Sequence, residues 1–210
     1  MRSKNLKCII LGNKDIAEKD LFVFLYNDEI GKFRAIAKGS KGILSKFTGH
    51  IKTLSICDIS AYFGPRNIII NEVQEDPDFK IKKQNLETLN SIMQIAEITD
   101  KFIFENQTLD GLWNLLKKTI QALKSTETPM LISIGYIVKF LDKNGIFPDF
   151  KLNKIDLEKK YLKFFQFLKT QPFSEIEKIS LEKSELFKIQ TFLKNFIEEQ
   201  TQKKFTSFLA

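Results

Sequence analysis

The sequence predicts an α+β protein in which a small β barrel of five antiparallel strands precedes a helical bundle. In the first 75 residues, short apolar runs are separated by turn residues about every 8–12 positions. None of the intervening segments is long enough to carry a helix between parallel strands. After Asp76-Pro77-Asp78 the spacing of apolar residues changes to the helical period of about 3.6. We therefore expect two domains, residues 1–76 and residues 77–210.

Each predicted strand is bounded by turn residues. The apolar run Leu21–Tyr26 is followed by Asn27-Asp28-Glu29-Ile30-Gly31, which supplies the Asn, Asp and Gly of a turn. Lys32–Lys38 alternates, so one face of that strand is mostly cationic. Strand count and turn spacing are typical of an OB-type barrel. The expected strands are Leu6–Leu11, Leu21–Tyr26, Lys32–Lys38, His50–Phe63 and Asn67–Gln74.

The helical part contains one segment that is apolar nearly all round, Met130–Leu141, which predicts a buried central helix. Pro129 suits its first turn, and Asn144-Gly145 is a typical end signal. The other helices are predicted from apolar stripes: Leu89/Ile92/Met93/Ala96, Leu112/Leu115/Leu116/Ile120, Leu157/Tyr161/Phe164/Leu168 and Leu186/Ile189/Leu193/Phe196.

Composition argues against an enzyme and against a metal site. With two Cys and one His, the chain has no usual zinc ligand set and no disulfide framework. Cys8 and Cys57 lie in apolar strand segments, which predicts buried thiols rather than nucleophiles. We expect no catalytic residue, metal or cofactor. The N-terminus lacks a signal-peptide pattern and no apolar run could span a membrane, so we expect a soluble protein of a reducing compartment.

The net charge of +7 comes from 33 basic and 26 acidic residues, and only three of the basic residues are arginine. AT-rich coding can produce such a lysine surplus, so its placement is more informative than its total. Residues 30–57 contain no acidic residue, which indicates a surface for phosphates, although a solvated face is the alternative. The candidate DNA-binding cations are Lys32, Arg34, Lys38, Lys41, Lys46, Lys52 and Arg66.

Two further features extend this hypothesis. Phe47 lies in the basic loop between Lys46 and Thr48, so it is a candidate for stacking on an unpaired base. Because lysine presents a point charge to phosphate, the predicted binding is weakly sequence dependent and sensitive to salt. A second basic block near the other end could extend the surface or bind an acidic peptide; its residues are Lys159, Lys160, Lys163, Lys203 and Lys204.

The order of these segments resembles the bacterial recombination mediator family RecO. The resemblance is carried by EKDLFVFLYNDEIGKFRAIAKGSKG, then a basic loop, then HIKTLSICDISAYFGPRN, then a helical part. The AKGSKG segment within the first stretch is similar to a basic segment of that family. The other matching positions are Glu18, Tyr26, Glu29–Lys32, Ile51–Leu54, Phe63-Gly64, Ile134–Pro148 and Lys203–Leu209.

The resemblance implies a non-enzymatic DNA repair protein of the cytoplasm, associated with the nucleoid. Such a protein binds single- and double-stranded DNA, anneals strands and helps load RecA onto strands coated by single-strand-binding protein. It implies RecR and the acidic, Phe-ending tail of single-strand-binding protein as partners. Many relatives carry a four-cysteine zinc module after the segment that ends here at Pro148. This chain has no Cys there, so we expect that module to be absent or reduced near residues 149–156.

Two other functions remain open from the residues alone. A protein-interaction adaptor would use the same barrel and bundle, and its basic stretch would be incidental. Such a protein is not expected to be retained on heparin or single-stranded DNA resin. A nuclease would need convergent acidic or histidine ligands for a metal, and the basic segment supplies none.

Overall fold

The computed structural model describes residues 2–16, 18–42, 45, 47, 49–82, 85–147 and 159–208. The predicted fold class, a five-stranded barrel followed by a helical bundle, is confirmed. The strands are β1 (Arg2–Asp15), β2 (Leu21–Asn27), β3 (Gly31–Ala37), β4 (Ile56–Phe63) and β5 (Ile68–Glu75). The helices are α1 (Leu86–Phe102), α2 (Leu112–Leu123), α3 (Pro129–Lys143), α4 (Lys159–Thr170), α5 (Phe173–Ile176) and α6 (Lys183–Thr201).

The barrel closes in the strand order β1-β2-β3-β5-β4 and returns to β1. Strand β1 is long because its first half pairs with β4 and its second half with β2. Four of the five seams are antiparallel, as predicted, and the β3–β5 seam is parallel, with Ile36 opposite Ile69. One parallel seam is unavoidable, because an odd number of strands cannot alternate in direction around a closed ring.

Inward-facing residues of all the strands fill the barrel, and the alternation in β3 places Phe33, Ala35 and Ala37 inside as predicted. Strand β4 begins at Ile56 rather than His50. Before it, Leu54 adopts a positive φ of 61° and donates its backbone N–H to the carbonyl of Ile10 at 2.7 Å. The strand expected from His50 is therefore interrupted at Leu54, because strand residues have negative φ.

The bundle is built around α3, whose residues from Pro129 to Val138 are all buried. Helices α1 and α3 run in the same direction: Gln94 accepts a hydrogen bond from Ser133, and Thr99 contacts the hydroxyl of Tyr136. The predicted α1 stripe is only partly core, since Leu89 and Met93 are exposed. The short α5 was not predicted, because four residues carry no helical period.

The two parts of the chain join at the part of the β3 edge that is not paired with β5. Beyond the Ile36–Ile69 pair, this edge is covered by residues 104–107, which link α1 to α2. The Asn106 N–H donates to the carbonyl of Lys32 at 2.7 Å, and the Lys32 N–H donates to the carbonyl of Gln107 at 3.2 Å. Gly31 is required here: its φ is +83°, and a Cβ would lie 2.3 Å from the oxygen of Gln107.

Residues 202–208 fold back onto α1 and close the bundle. Glu97 accepts hydrogen bonds from the backbone N–H groups of Thr206 and Ser207 and from Lys101. Burial raises the pKa of this carboxyl, but those hydrogen bonds outweigh it and lower the pKa to about 2. Phe205 and Phe208 are buried against the bundle.

Among the described residues, no helix combines the length and the apolar character that crossing a bilayer requires. The predicted absence or reduction of a zinc module concerns residues 149–156, which lie outside the described part. The domain boundary at residue 76 stays a prediction. Strand β5 ends at Glu75, and the barrel residues Ile9 and Tyr26 belong to the same apolar cluster as the helices.

Candidate nucleic-acid interface

One end of the barrel collects exposed cations, and we call it the basic end. Strand pairings bring together the end of β1, the start of β2, the end of β3 and the β4–β5 turn. The start of β1 joins them, because Arg2 pairs with Phe63 and the Lys4 ammonium lies 5.3 Å from the centre of the Phe63 ring. Two contacts hold the loop after β3 in place: Lys41 pairs with Asp15 at 2.7 Å, and the Gly39 N–H donates to Asp20 at 2.8 Å. The exposed cations of the basic end are Lys4, Lys14, Lys19, Lys38, Lys41 and Arg66.

Beside the basic end lies a groove of about 230 Å³, which we call the arginine groove. Arg34 from β3 and Arg66 from the β4–β5 turn both line it. The Arg34 guanidinium lies 5.6 Å from the centre of the Phe22 ring and 3.5 Å from a carboxylate oxygen of Glu105. Its side chain is 58% exposed, so it remains accessible to a ligand. The remaining polar lining includes Asn67 and Asn106.

This arrangement suits phosphate binding. Two of the three arginines in the sequence meet in one groove, although their positions are 32 residues apart. A guanidinium presents a planar set of donors that matches two phosphate oxygens, and the neighbouring lysines add positive potential. The ring of Phe22 orients Arg34, while Glu105 competes with an anion for the same guanidinium.

Lys32 does not belong to this surface, contrary to the sequence-based expectation. Its side chain is 13% exposed, and its ammonium pairs with Asp100 at 2.7 Å and donates to the carbonyl of Ile103 at 3.1 Å. The residue therefore ties β3 to the end of α1. A phosphate would have to displace these contacts, so we remove Lys32 from the candidate interface.

The stacking role expected for Phe47 is also wrong. Phe47 is 4% exposed and belongs to the barrel core, so a base cannot reach its ring. Lys52 lies at the opposite end of the barrel from the basic end, where it pairs with Glu75 at 2.9 Å. The acid-free segment is thus not one surface: of its cations, Arg34 lines the arginine groove, and Lys38 and Lys41 lie at the basic end. Lys46 lies outside the described residues.

The residues of the second basic block that the structure describes do not form one surface patch. Lys163 is exposed on α4, and the side chains of Lys159 and Lys160 lie outside the described set. Lys203 and Lys204 lie instead beside the end of α1: Lys203 donates to the carbonyl of Lys101 at 2.6 Å, and Lys204 pairs with Glu198 at 3.1 Å. Lys203 therefore lies near the junction between barrel and bundle, whereas the Lys204 side chain is held by α6.

A second concave surface lies between α2, α3 and the α4–α5 connection, and we call it the cationic cleft. It has a volume of about 840 Å³ and an apolar part formed by Leu115, Ala122 and Phe173. Lys139 donates to the carbonyl of Gln171 at 2.7 Å, and burial lowers its pKa. The four lysines that line the cleft are Lys118, Lys139, Lys143 and Lys169, against the acidic residues Asp142 and Glu177.

The cysteines are buried, as expected from their apolar surroundings. Cys8 on β1 lies opposite Cys57 on β4, and both are inaccessible. Burial raises the pKa of Cys57 to about 11 and that of Cys8 further, so neither thiol is activated. Within the described residues, no three His, Cys, Asp or Glu side chains come together in a way that could hold a metal ion.

Comparison with known proteins shows to which family the chain belongs. A model described as Recombination protein O N terminal matches residues 1–69, and one described as Recombination protein O C terminal matches residues 83–153. The chain belongs to the RecO family. The N-terminal match covers most of the barrel, and the C-terminal match covers α1, α2 and α3, so α4–α6 lie beyond both.

Relatives named DNA repair protein RecO align over most of this chain. The protein of Thermoanaerobacter sp. (strain X514) is 26% identical over 79% of this chain and 67% of its own length. That of Clostridium novyi (strain NT) is 27% identical over 69% of this chain and 57% of its own length. That of Alkaliphilus metalliredigens (strain QYMF) is 24% identical over 66% of this chain and 57% of its own length. The alignments thus span 57–67% of these relatives, which are DNA repair proteins by name.

Of the cations predicted from the sequence, Arg34, Lys38, Lys41 and Arg66 lie at the basic end or in the arginine groove. The lysines on either side of the β1–β2 loop were not predicted. Lys14 and Lys19 lie next to Asp15, Glu18 and Asp20 in the sequence, so a search for acid-free segments rejects them. The cationic cleft was missed because its lysines come from three separate segments. No local pattern in the sequence predicts that Lys14 and Lys19 join the basic end or that the four cleft lysines come together.

Proposed function

We propose that this chain is a non-enzymatic recombination mediator that binds DNA through the basic end and the arginine groove. The observation that carries the proposal is that Arg34 and Arg66 line one groove beside five exposed lysines at one end of an OB-type barrel. Such a surface contacts phosphates rather than base edges, so it accepts single- and double-stranded DNA of any sequence.

Charge neutralisation also explains how such a protein would anneal strands. Two complementary strands repel each other, and a basic surface that contacts both lowers that repulsion while pairing begins. The partners that we propose are DNA, RecR and, indirectly, RecA, all in the cytoplasm. Membership of the RecO family supports these partners, and we assign no surface to RecR.

The test is a salt titration of oligonucleotide affinity. For about six phosphate contacts, log K should fall with log salt with a slope near −4 for a single strand and near −5 for a duplex. Reversing two charges of the basic end, Lys38→Glu with Lys41→Glu, should weaken binding to all sequences equally and flatten this slope.

The matched control reverses two exposed lysines of the bundle, Lys178→Glu with Lys188→Glu, and should leave DNA affinity close to that of the unmodified protein. If both double variants bind DNA alike, the basic end is not the interface. Failure of the unmodified protein to bind single-stranded DNA resin at moderate salt would instead support a protein-interaction adaptor.

We further propose the cationic cleft as the site for the acidic, Phe-ending tail of single-strand-binding protein. The tail needs an apolar pocket with cations at its rim, and the cleft offers Phe173 and Leu115 between Lys118 and Lys143. The C-terminal part of α3 supplies two of the four lysines. A fluorescent peptide of that tail should lose affinity when Lys118→Glu and Lys143→Glu are combined, whereas the Lys38/Lys41 variant should still bind it.

A further inference from the structure

Phe104 is an exposed aromatic residue at the junction between barrel and bundle. It is 70% exposed, compared with 38% for Phe187 and 37% for Phe167, the next most exposed phenylalanines of the described residues. Isolated exposed apolar residues are common in proteins, so exposure alone does not indicate a function. The position and the surroundings of this ring provide the argument.

The ring is carried by a rigid turn. The Phe104 N–H donates to the side-chain oxygen of Gln107 at 3.0 Å, and the Gln107 N–H donates to the carbonyl of Phe104 at 3.1 Å. The same turn is hydrogen-bonded to β3 through Lys32 and Asn106. Since the backbone of this turn is already ordered, a ligand that contacts the ring binds without the entropy cost of ordering a loop.

Two sets of cations lie near Phe104. Its neighbour Glu105 pairs with Arg34 of the arginine groove, and Asn106 lines that groove. The ammonium of Lys203 lies 5.6 Å from the centre of the Phe104 ring. The exposed ring is therefore next to residues of the arginine groove in the sequence and in contact with a lysine from the other end of the chain.

We propose that Phe104 stacks on an unpaired base of a single strand whose phosphates lie in the arginine groove and beside Lys203. The inference rests on the proposed function, because it uses the same DNA path. A stacked base contributes through its π face, which all four bases possess, so this contact is independent of sequence. A base inside a duplex is already stacked on its neighbours and cannot make it, so Phe104 gives the protein a preference for single strands.

The experiment compares Phe104→Ala with the unmodified protein on three ligands: a single strand, a duplex and an abasic oligonucleotide of equal length. Loss of one stacked base should lower single-strand affinity about 5- to 150-fold. Duplex and abasic affinities should change less than about twofold, because neither ligand offers a base to the ring. Phe104→Tyr should restore single-strand binding, and Phe167→Ala, which removes an exposed ring on α4, should have no effect.

The result separates this inference from the function on which it rests. If Phe104→Ala binds single strands normally while Arg34→Ala with Arg66→Ala weakens them, the stacking role is refuted and the DNA interface stands. Equal loss of affinity for the abasic oligonucleotide would also refute stacking. If neither variant changes binding of any DNA, both proposals fail. A thermal unfolding curve of Phe104→Ala that matches the unmodified protein shows that a loss of affinity is not a folding defect.

Discussion

Replacing Gly31 by alanine should destabilise the junction between barrel and bundle. Gly31 has a φ of +83°, and an added Cβ would lie 2.3 Å from the Gln107 oxygen and 2.4 Å from its carbonyl carbon. A left-handed alanine costs about 1–2 kcal/mol. The Cβ must also push residues 104–107 away from β3, which breaks the two backbone hydrogen bonds of Lys32 and costs about 0.5–1.5 kcal/mol for each. Together these effects amount to about 2–5 kcal/mol.

The matched control is Gly39→Ala. Gly39 also has a positive φ, +64°, but no atom lies within 4 Å of the Cβ position, so this variant should pay only the backbone cost of about 1–2 kcal/mol. Urea unfolding followed by circular dichroism measures both free energies. Equal destabilisation of the two variants would refute the reasoning, because the contact with Gln107 would then contribute nothing.

Three further outcomes follow from single groups. Glu105→Gln should raise DNA affinity a few-fold in fluorescence anisotropy at low salt, because it removes a competitor for Arg34; unchanged affinity would show that their ion pair is negligible. The pKa of Glu97 is about 2 in the folded protein, below its ordinary value of 4.5, so its stabilisation is present above pH 4.5 and disappears as the pH falls toward 2. In that range the unfolding free energy should fall by at most about 1.4 kcal/mol per pH unit from this group, and Glu97→Gln should remove that part of the slope. Burial raises the pKa of Cys57 to about 11, so a thiol reagent should modify neither Cys57 nor Cys8 of the native protein at neutral pH; rapid labelling without urea would contradict the buried position.

The sequence predicts the local elements well because their signals are local. Alternation and turn residues locate β2 and β3 within about one residue, and the period of 3.6 locates α3 and α6. The start of β4 could not be predicted, since the left-handed turn at Leu54 is held by the carbonyl of Ile10, which is 44 positions away.

The candidate site shows the same limit more clearly. Lys32 and Arg34 are neighbours on one face of β3 and look equivalent in the sequence. Lys32 forms an ion pair with Asp100, which is 68 positions away in the sequence. The Arg34 side chain is exposed to solvent. Sequence analysis could therefore identify the basic strand but could not say which of its cations is accessible to a ligand.

The folding of residues 205–207 onto α1 has a consequence for synthesis of the chain. Glu97 and Ser207 are 110 positions apart. At a synthesis rate of about 5–20 residues per second, Ser207 is added roughly 5–20 seconds after Glu97, and only then can its N–H bind the Glu97 carboxylate. Every strand pairing of the barrel, by contrast, is complete once Glu75 has emerged. On the ribosome, the strand pairings of the barrel can therefore form while the bundle is still open.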